Sequence, residues 1–295
     1  MNWVVWRQHR VEFLIMVIVF VLFTIAALII GRSSAQAAAN TDANSFIESI
    51  NEPIFLPMQI LPLLLGVFIG APLVAREIEM GTSQLAWTQG ITRQRWLLSK
   101  LALVGGISLV IFILLDLLGN WLNQPVNAIL GPFPVFDSQG VVYIVYGLFA
   151  LALGIAAGTL LGKTVPAMAA VIPLYLIVRL GIETLRKDYL PPLRSTWNLL
   201  GAFPYRQDWI LGGFFTNSAG SPVSPNSIGQ MCGSIPKGSL TGLNACLQEH
   251  GILQVFTYQP ASRFWVFQGI ESAIFLVLTA GLVVLTFWWL KNRVE

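Results

Sequence analysis

Apolar residues fall into six long runs, 11–30, 53–75, 97–122, 140–162, 165–181 and 264–290, separated by short polar intervals and one long one. Each run is near or above the length that a helix needs to cross roughly 30 Å of hydrocarbon. The pattern predicts an all-α membrane protein with six transmembrane helices, an N-terminal amphipathic helix and a large extracellular segment between helices five and six. The first run is longer than the roughly 7–15 residues of a signal-peptide core, so it reads as a retained span. Before it, residues 1–10 place Trp3 and Trp6 on one side of an interfacial helix, with Arg7 and Arg10 available to lipid phosphates. The same residues also fit an ordinary basic flank. The second run carries Pro53, Pro57, Pro62 and Pro72, which predicts a kinked helix rather than a broken one.

The basic residues orient these spans. Arg7, Arg10, Arg76, Arg93, Arg95, Lys100, Lys163, Lys291 and Arg293 collect on one side, against Arg32 in the short segments of the other. Positive charge marks the cytoplasmic side. Both termini are therefore expected in the cytoplasm, and intervals 31–52, 123–139 and 182–263 outside. The chain divides into an interfacial helix (1–10), five spans with a cytoplasmic loop at 76–100 (11–181), an external segment (182–263), and a sixth span with its tail (264–295).

Composition narrows the function. Of 295 residues, 55% are hydrophobic and 11% charged, where soluble domains carry about 25% charged residues. The net charge of +3 is small and spread between apolar runs, not gathered in a patch, so it says nothing about nucleic acid, and no nucleic-acid partner is expected. There are two histidines, His9 and His250, and neither a metal-ligand cluster nor a Gly-x-Ser-x-Gly elbow. Nothing points to an enzyme. The stretch from Gly158 to Thr164 looks like a phosphate-binding loop, but only three residues separate its glycines and it follows a membrane helix rather than a strand.

The interval 76–100 is longer than a turn requires. Thr82 can cap a short helix over 83–89, with Glu77 and Glu79 near its positive end, and Gly90 suits a left-handed terminus. Thr92 can cap the next helix, which carries Arg93, Arg95 and Trp96 into the third span. Leu85 and Trp87 are then candidates for contact with a partner; anchoring to lipid head groups is the alternative. The sequence Glu79-Met80-Gly81-Thr82, followed by Leu85, Arg93 and Lys100, resembles the corresponding loop of ABC-2 type permeases, the membrane subunits of bacterial ABC exporters. The six-span outline is similar throughout.

The resemblance implies a coupling helix over 81–89 seated in a cleft of a separate ATPase. Arg76, Glu77, Glu79, Gly81, Thr82, Leu85, Trp87, Arg93, Arg95 and Lys100 form the coupling set, with Glu77 and Glu79 facing basic groups of that ATPase. It further implies no cofactor in this chain, ATP and Mg on two ATPase copies, a second copy of the chain itself, and a place in the bacterial cell membrane. The expected activity is export of an amphipathic or hydrophobic substrate such as a drug, a peptide antibiotic or a lipid. Alternatives are an immunity or sensing subunit that removes antibiotics from the outer leaflet, and a non-transporting scaffold.

Other features bear on assembly. Gly154, Gly158 and Gly162 lie on one helix face and permit close approach of another helix, within the chain or in a second subunit; Gly66 and Gly70 repeat the spacing. Asp116, Arg179 and Glu271 fall inside spans three, five and six, toward their outer ends. Ionisable groups there are costly unless paired. Pairing of Arg179 with one carboxylate would serve an outer substrate path, a helix lock or snorkelling. In the external segment, aromatics crowd the first third. Most residues from 212 to 242 are Gly, Ser, Pro or Asn, so no regular helix is expected there, and 251–258 suits a strand or a short interfacial helix. Cys232 and Cys246 both lie here, which favours a disulfide.

Overall fold

The computed structural model describes residues 55–82, 92–197, 207–233 and 240–292, with isolated positions 18, 21, 24, 25 and 29. The chain forms two compact units.

The first unit comprises Met1–Pro125, Val135–Thr184 and Val266–Glu295. Its earliest described elements are α1 (Phe55–Leu65) and α2 (Ala71–Glu79), continuous through a π-helical turn at Gly66–Gly70. The irregularity lies at this turn, where the Ala71 amide reaches back to the Gly66 carbonyl. Pro72, at the start of α2, has no amide proton to donate, and its ring crowds the carbonyl one turn earlier. Widening the preceding turn relieves that crowding. There follow α3 (Arg93–Leu122), α5 (Val141–Leu161), α6 (Thr164–Leu185) and, after the second unit, α9 (Phe264–Asn292), while α4 (Gln124–Leu130) lies mostly in the second unit. Among the described residues five helical stretches are long and apolar enough to cross a membrane. Ile18, Val21, Thr24, Ile25 and Ile29 are helical too, but the remainder of the 11–30 run and the 1–10 segment lie outside the described residues.

Helix extents exceed the apolar runs at several ends. α3 begins at Arg93, where the Thr92 hydroxyl accepts the Arg95 amide at 3.3 Å. α6 continues past Gly181, and α9 reaches Asn292. α5 starts after Gly140 and stops at Gly162, whose positive φ ends the helix.

α5 is the axis of this unit. It buries most of its apolar length, whereas α3, α6 and α9 leave most of theirs exposed. Its glycines meet α1–α2 directly. A β-carbon on Gly154 would strike the Gly66 carbonyl and lie 2.7 Å from the Ala71 nitrogen; one on Gly158 would strike the Ala71 carbonyl. From the other side, β-carbons on Gly66 and Gly70 would lie 2.5 Å from the Ala150 and 2.7 Å from the Leu151 carbonyl oxygens. The two glycine stripes therefore pack on each other within one chain. The outward faces of α3, α6 and α9 carry Leu117, Ile177 and Val277 among other exposed apolar residues, as lipid contact requires.

The second unit, Val126–Pro134 with Leu185–Trp265, corrects the all-α expectation. It holds an antiparallel sheet built from β1 (Leu193–Trp197), β2 (Trp209–Thr216), β3 (Pro222–Val223) and β4 (Leu253–Gln259), in the order β1-β4-β2-β3. Register pairs Leu193 with Tyr258 and Trp209 with Gln259, and a bulge falls between Ile210 and Gly212. The 251–258 stretch is thus mainly strand. A helix forms inside the glycine- and serine-rich 212–242 stretch, against the expectation of none. This is α7 (Pro225–Met231), started by Pro225 and by the Ser224 hydroxyl accepting the Ser227 amide. A disulfide joins Cys232 to Cys246 in α8 (Leu240–Glu249). With Ile228, Leu247 and Ile252 they form a small core under Trp197 and Phe215. Closing a loop of this length restricts the unfolded chain by about 3 kcal/mol. Phe133 stacks on Trp209 at 5.3 Å and meets Phe264 edge-on at 5.8 Å.

The glycine contact sets a test. Gly154→Ala should lower stability in detergent by about 1–3 kcal/mol, the usual range for overpacking. Gly105→Ala, on a face with nothing within 4 Å, should not. Thermal unfolding of the two purified variants measures the difference.

Candidate functional site

Two polar clusters stand out in the first unit. One surrounds the ends of α2 and α3, between which the 83–91 segment emerges. α2 closes with the Met80 amide on the Arg76 carbonyl and the Gly81 amide on the Ile78 carbonyl, and Gly81 takes a positive φ of 68°. The left-handed residue that ends this helix is thus Gly81. The Thr82 hydroxyl donates back to the Glu77 carbonyl at 3.3 Å. The helix that Thr82 was expected to cap, with Leu85 and Trp87, lies outside the described residues.

Glu77 follows Leu73 by four residues and so shares its buried face. Its Oε1 is 2.5 Å from Lys100 Nζ, and both are shielded, at 8% and 1% exposure. Lys100 also donates to the Leu73 carbonyl at 3.0 Å and lies 4.5 Å above the Trp96 ring. These two residues were expected to face a partner, Glu77 through basic groups on it. Both are instead turned into the protein and spent on each other, because Trp96, Leu97, Lys100 and Val104 form the inner face of α3.

Glu79 is exposed, yet its Oε2 accepts the Thr164 amide at 2.9 Å and so caps α6. Arg93 donates from Nη1 to the Leu290 carbonyl at 3.3 Å, near the C-terminal end of α9. Arg76 is exposed. Arg95 is also exposed and, with Thr92, Gln94, Leu98 and Phe287, lines an open groove of about 590 Å³.

The second cluster lies at the opposite end of the helices. Arg179 of α6 holds Asp137 by Nη2–Oδ1 at 2.6 Å, and its Nη1 is 3.6 Å from Glu271 Oε1 of α9. Its guanidinium sits 4.1 Å over the Tyr146 ring, and Glu183 is a weaker partner at 3.9 Å. Tyr146 donates its hydroxyl to Glu271 at 2.5 Å, and Glu271 is 0% exposed. One arginine is thus bracketed by two carboxylates and stacked on a tyrosine, joining α5, α6, α9 and the segment before α5.

Asp116 stands apart from this set. Its Oδ1 accepts the Gly140 amide at 2.5 Å and the Asn120 side chain at 3.1 Å. It caps the start of α5 and makes no ion pair with Arg179. Gln268 of α9 caps the same end, its Oε1 accepting the Val142 amide at 2.9 Å while its Nε2 donates to the Phe136 and Gln139 carbonyls. Sequence reading missed Asp137, Tyr146 and Gln268. The lone acid in the otherwise apolar 131–137 stretch was the available signal for the first.

Burial makes these pairs sensitive to loss of one partner. Glu77→Ala or Lys100→Ala should each cost about 3–5 kcal/mol, whereas Glu77→Leu with Lys100→Met should recover most of it, because an apolar pair leaves no stranded charge. Melting temperatures of the purified single and double variants decide this. At the other cluster, Arg179→Ala should destabilise by a similar amount, since it strands Glu271. Asp116→Asn keeps an acceptor for Gly140 and should fall within about 1 kcal/mol of the parent in the same assay.

The comparison with known proteins bears on these positions. The family model described as ABC-2 membrane transporter related matches residues 11–186, which take in α1 through α6, the α2–α3 junction and Arg179. No curated protein and no solved structure matches the chain. The match covers more than half of the sequence, takes in four of the five described apolar helical stretches and includes the capped polar junction that carries Glu79, Gly81 and Lys100. The chain therefore belongs to the ABC-2 membrane transporter related family and is an ABC-2 type permease, a multi-pass membrane subunit of a transporter.

Proposed function

We propose that this permease drives export of an amphipathic or hydrophobic substrate, powered by two copies of a separate ABC ATPase and working as a homodimer. The observation that supports coupling through the 83–91 segment is the geometry of its root. α2 and α3 are locked by the buried Glu77–Lys100 pair, so a push on the segment reaches both helices together. Trp87 and Leu85 are the contacts for the ATPase cleft, and the basic bias of this side puts them in the cytoplasm. The apolar outward faces of α3, α6 and α9 suit a substrate that partitions into lipid. Arg179, Asp137 and Glu271 stand at the far, external end of its path.

A second reading is supported by the second unit, which folds around its own core and disulfide and is more than a connecting loop. In that reading the external unit recognises a peptide antibiotic in the outer leaflet and the motor dislodges it.

The test uses the full chain co-expressed with its cognate ABC ATPase. The two should co-purify, and Trp87→Ala should lower ATPase recovery about tenfold or more, as loss of an aromatic anchor does. Inside-out vesicles holding the parent complex should accumulate a fluorescent amphiphile on adding ATP. Hydrolysis without accumulation favours the second reading; unchanged recovery with Trp87→Ala removes the coupling role of the segment.

A further inference from the structure

We infer that Glu79 and Arg93 are transmission residues, each carrying motion of the 83–91 segment to a different helix that this segment does not join. The inference rests on the coupling role proposed above and assigns the parts within it. The two residues flank the segment, Glu79 at the last turn of α2 and Arg93 at the first turn of α3. Each reaches across to a helix end far away in sequence. Glu79 accepts the Thr164 amide and so holds the first turn of α6. Arg93 donates to the Leu290 carbonyl and so holds the last turn of α9.

Both contacts join a charged side chain to the backbone of a helix terminus, Glu79 to the first amide of α6 and Arg93 to a carbonyl in the last described turn of α9. A carboxylate at an N-terminus and a guanidinium at a C-terminus are each favoured by the helix dipole. Charged hydrogen bonds of this kind are stronger than neutral ones. Between them, the Glu77–Lys100 pair fixes α2 against α3. Displacement of the segment therefore moves the α2–α3 root as one body, and that body drags α6 through one side chain and α9 through another. α6 and α9 also carry Arg179 and Glu271 at their opposite ends, so both arms lead to the second polar cluster. Residues that resembled docking contacts are, on this geometry, the internal linkage.

Cysteine pairs on exposed residues report each arm: Met80→Cys with Val165→Cys for α2–α6, and Gln94→Cys with Lys291→Cys for α3–α9. The native cysteines are bonded to each other and do not take label. Spin-labelled complexes with the co-expressed ABC ATPase, reconstituted in liposomes, are compared in ADP and in ATP with vanadate by short-range dipolar broadening. In the parent both pairs should stay equally broadened in the two states, since each arm moves as a body. Glu79→Ala should lose the Met80–Val165 broadening in ATP with vanadate while the Gln94–Lys291 pair is unchanged. Arg93→Ala should do the reverse.

This selectivity separates linkage from general loosening, which would affect both pairs. The inference is overturned if either variant keeps both pairs intact, if both pairs loosen together, or if either variant abolishes ATPase binding, which would make that residue a docking contact. Failure of the parent to bind an ABC ATPase overturns the proposed function itself, and the inference with it.

Discussion

Backbone meets backbone where α5 crosses α1–α2, and the rest of the first unit is arranged around that contact. Lipid tails are as apolar as leucine, so nothing comparable to the hydrophobic effect in water pushes these helices together. Close approach has to supply dispersion and weak polar contact instead, and this needs residues without side chains. Gly66, Gly70, Gly154 and Gly158 provide it from both sides. The π-helical turn belongs to the same solution, since Gly66 opens it, Gly70 ends it and Pro72 comes two residues later. A sequence feature that could have disrupted the helix thus sits where the helix presses hardest on its neighbour.

Around this apolar centre, the ion pairs and charged caps among the described residues lie toward the helix ends, and they tie helices to each other at both. At the end that carries the 83–91 segment, Glu77 with Lys100, Glu79 with Thr164 and Arg93 with Leu290 link α2, α3, α6 and α9. At the other end, Arg179 with Asp137 and Glu271, and the caps from Asp116 and Gln268, link α3, α5, α6 and α9. Such groups are tolerable at these depths because almost every charge meets an opposite charge or a helix terminus. Among the described residues no ion pair falls at the mid-length of a membrane helix, where packing carries most of the contact.

Much of this was legible in the chain, and the failures have physical causes. The apolar runs located the long helices because hydrocarbon imposes length and composition together. The glycine spacing marked a packing face, although spacing alone does not distinguish a partner in the same chain from one in another. Glu77 and Lys100 were singled out but given an outward role, since charges beside an apolar run resemble a solvated loop. The repeat of Trp96, Leu97, Lys100 and Val104 on one face was the sign that Lys100 points inward. Asp116 and Arg179 were grouped by depth, whereas the fold sorted them by the helix ends within reach. The sheet was missed because its strands are short and β2 carries Gly212 and Gly213, which weaken any alternating pattern.

The first turn of α5 is stitched by side chains borrowed from two neighbours, Asp116 of α3 on Gly140 and Gln268 of α9 on Val142. Sliding α5 lengthwise would strip both at once, while tilting α3 or α9 about that point would keep them. The turn is thus a fulcrum. Three helices share one anchoring turn, where loss of either side chain would release one neighbour and leave the other attached.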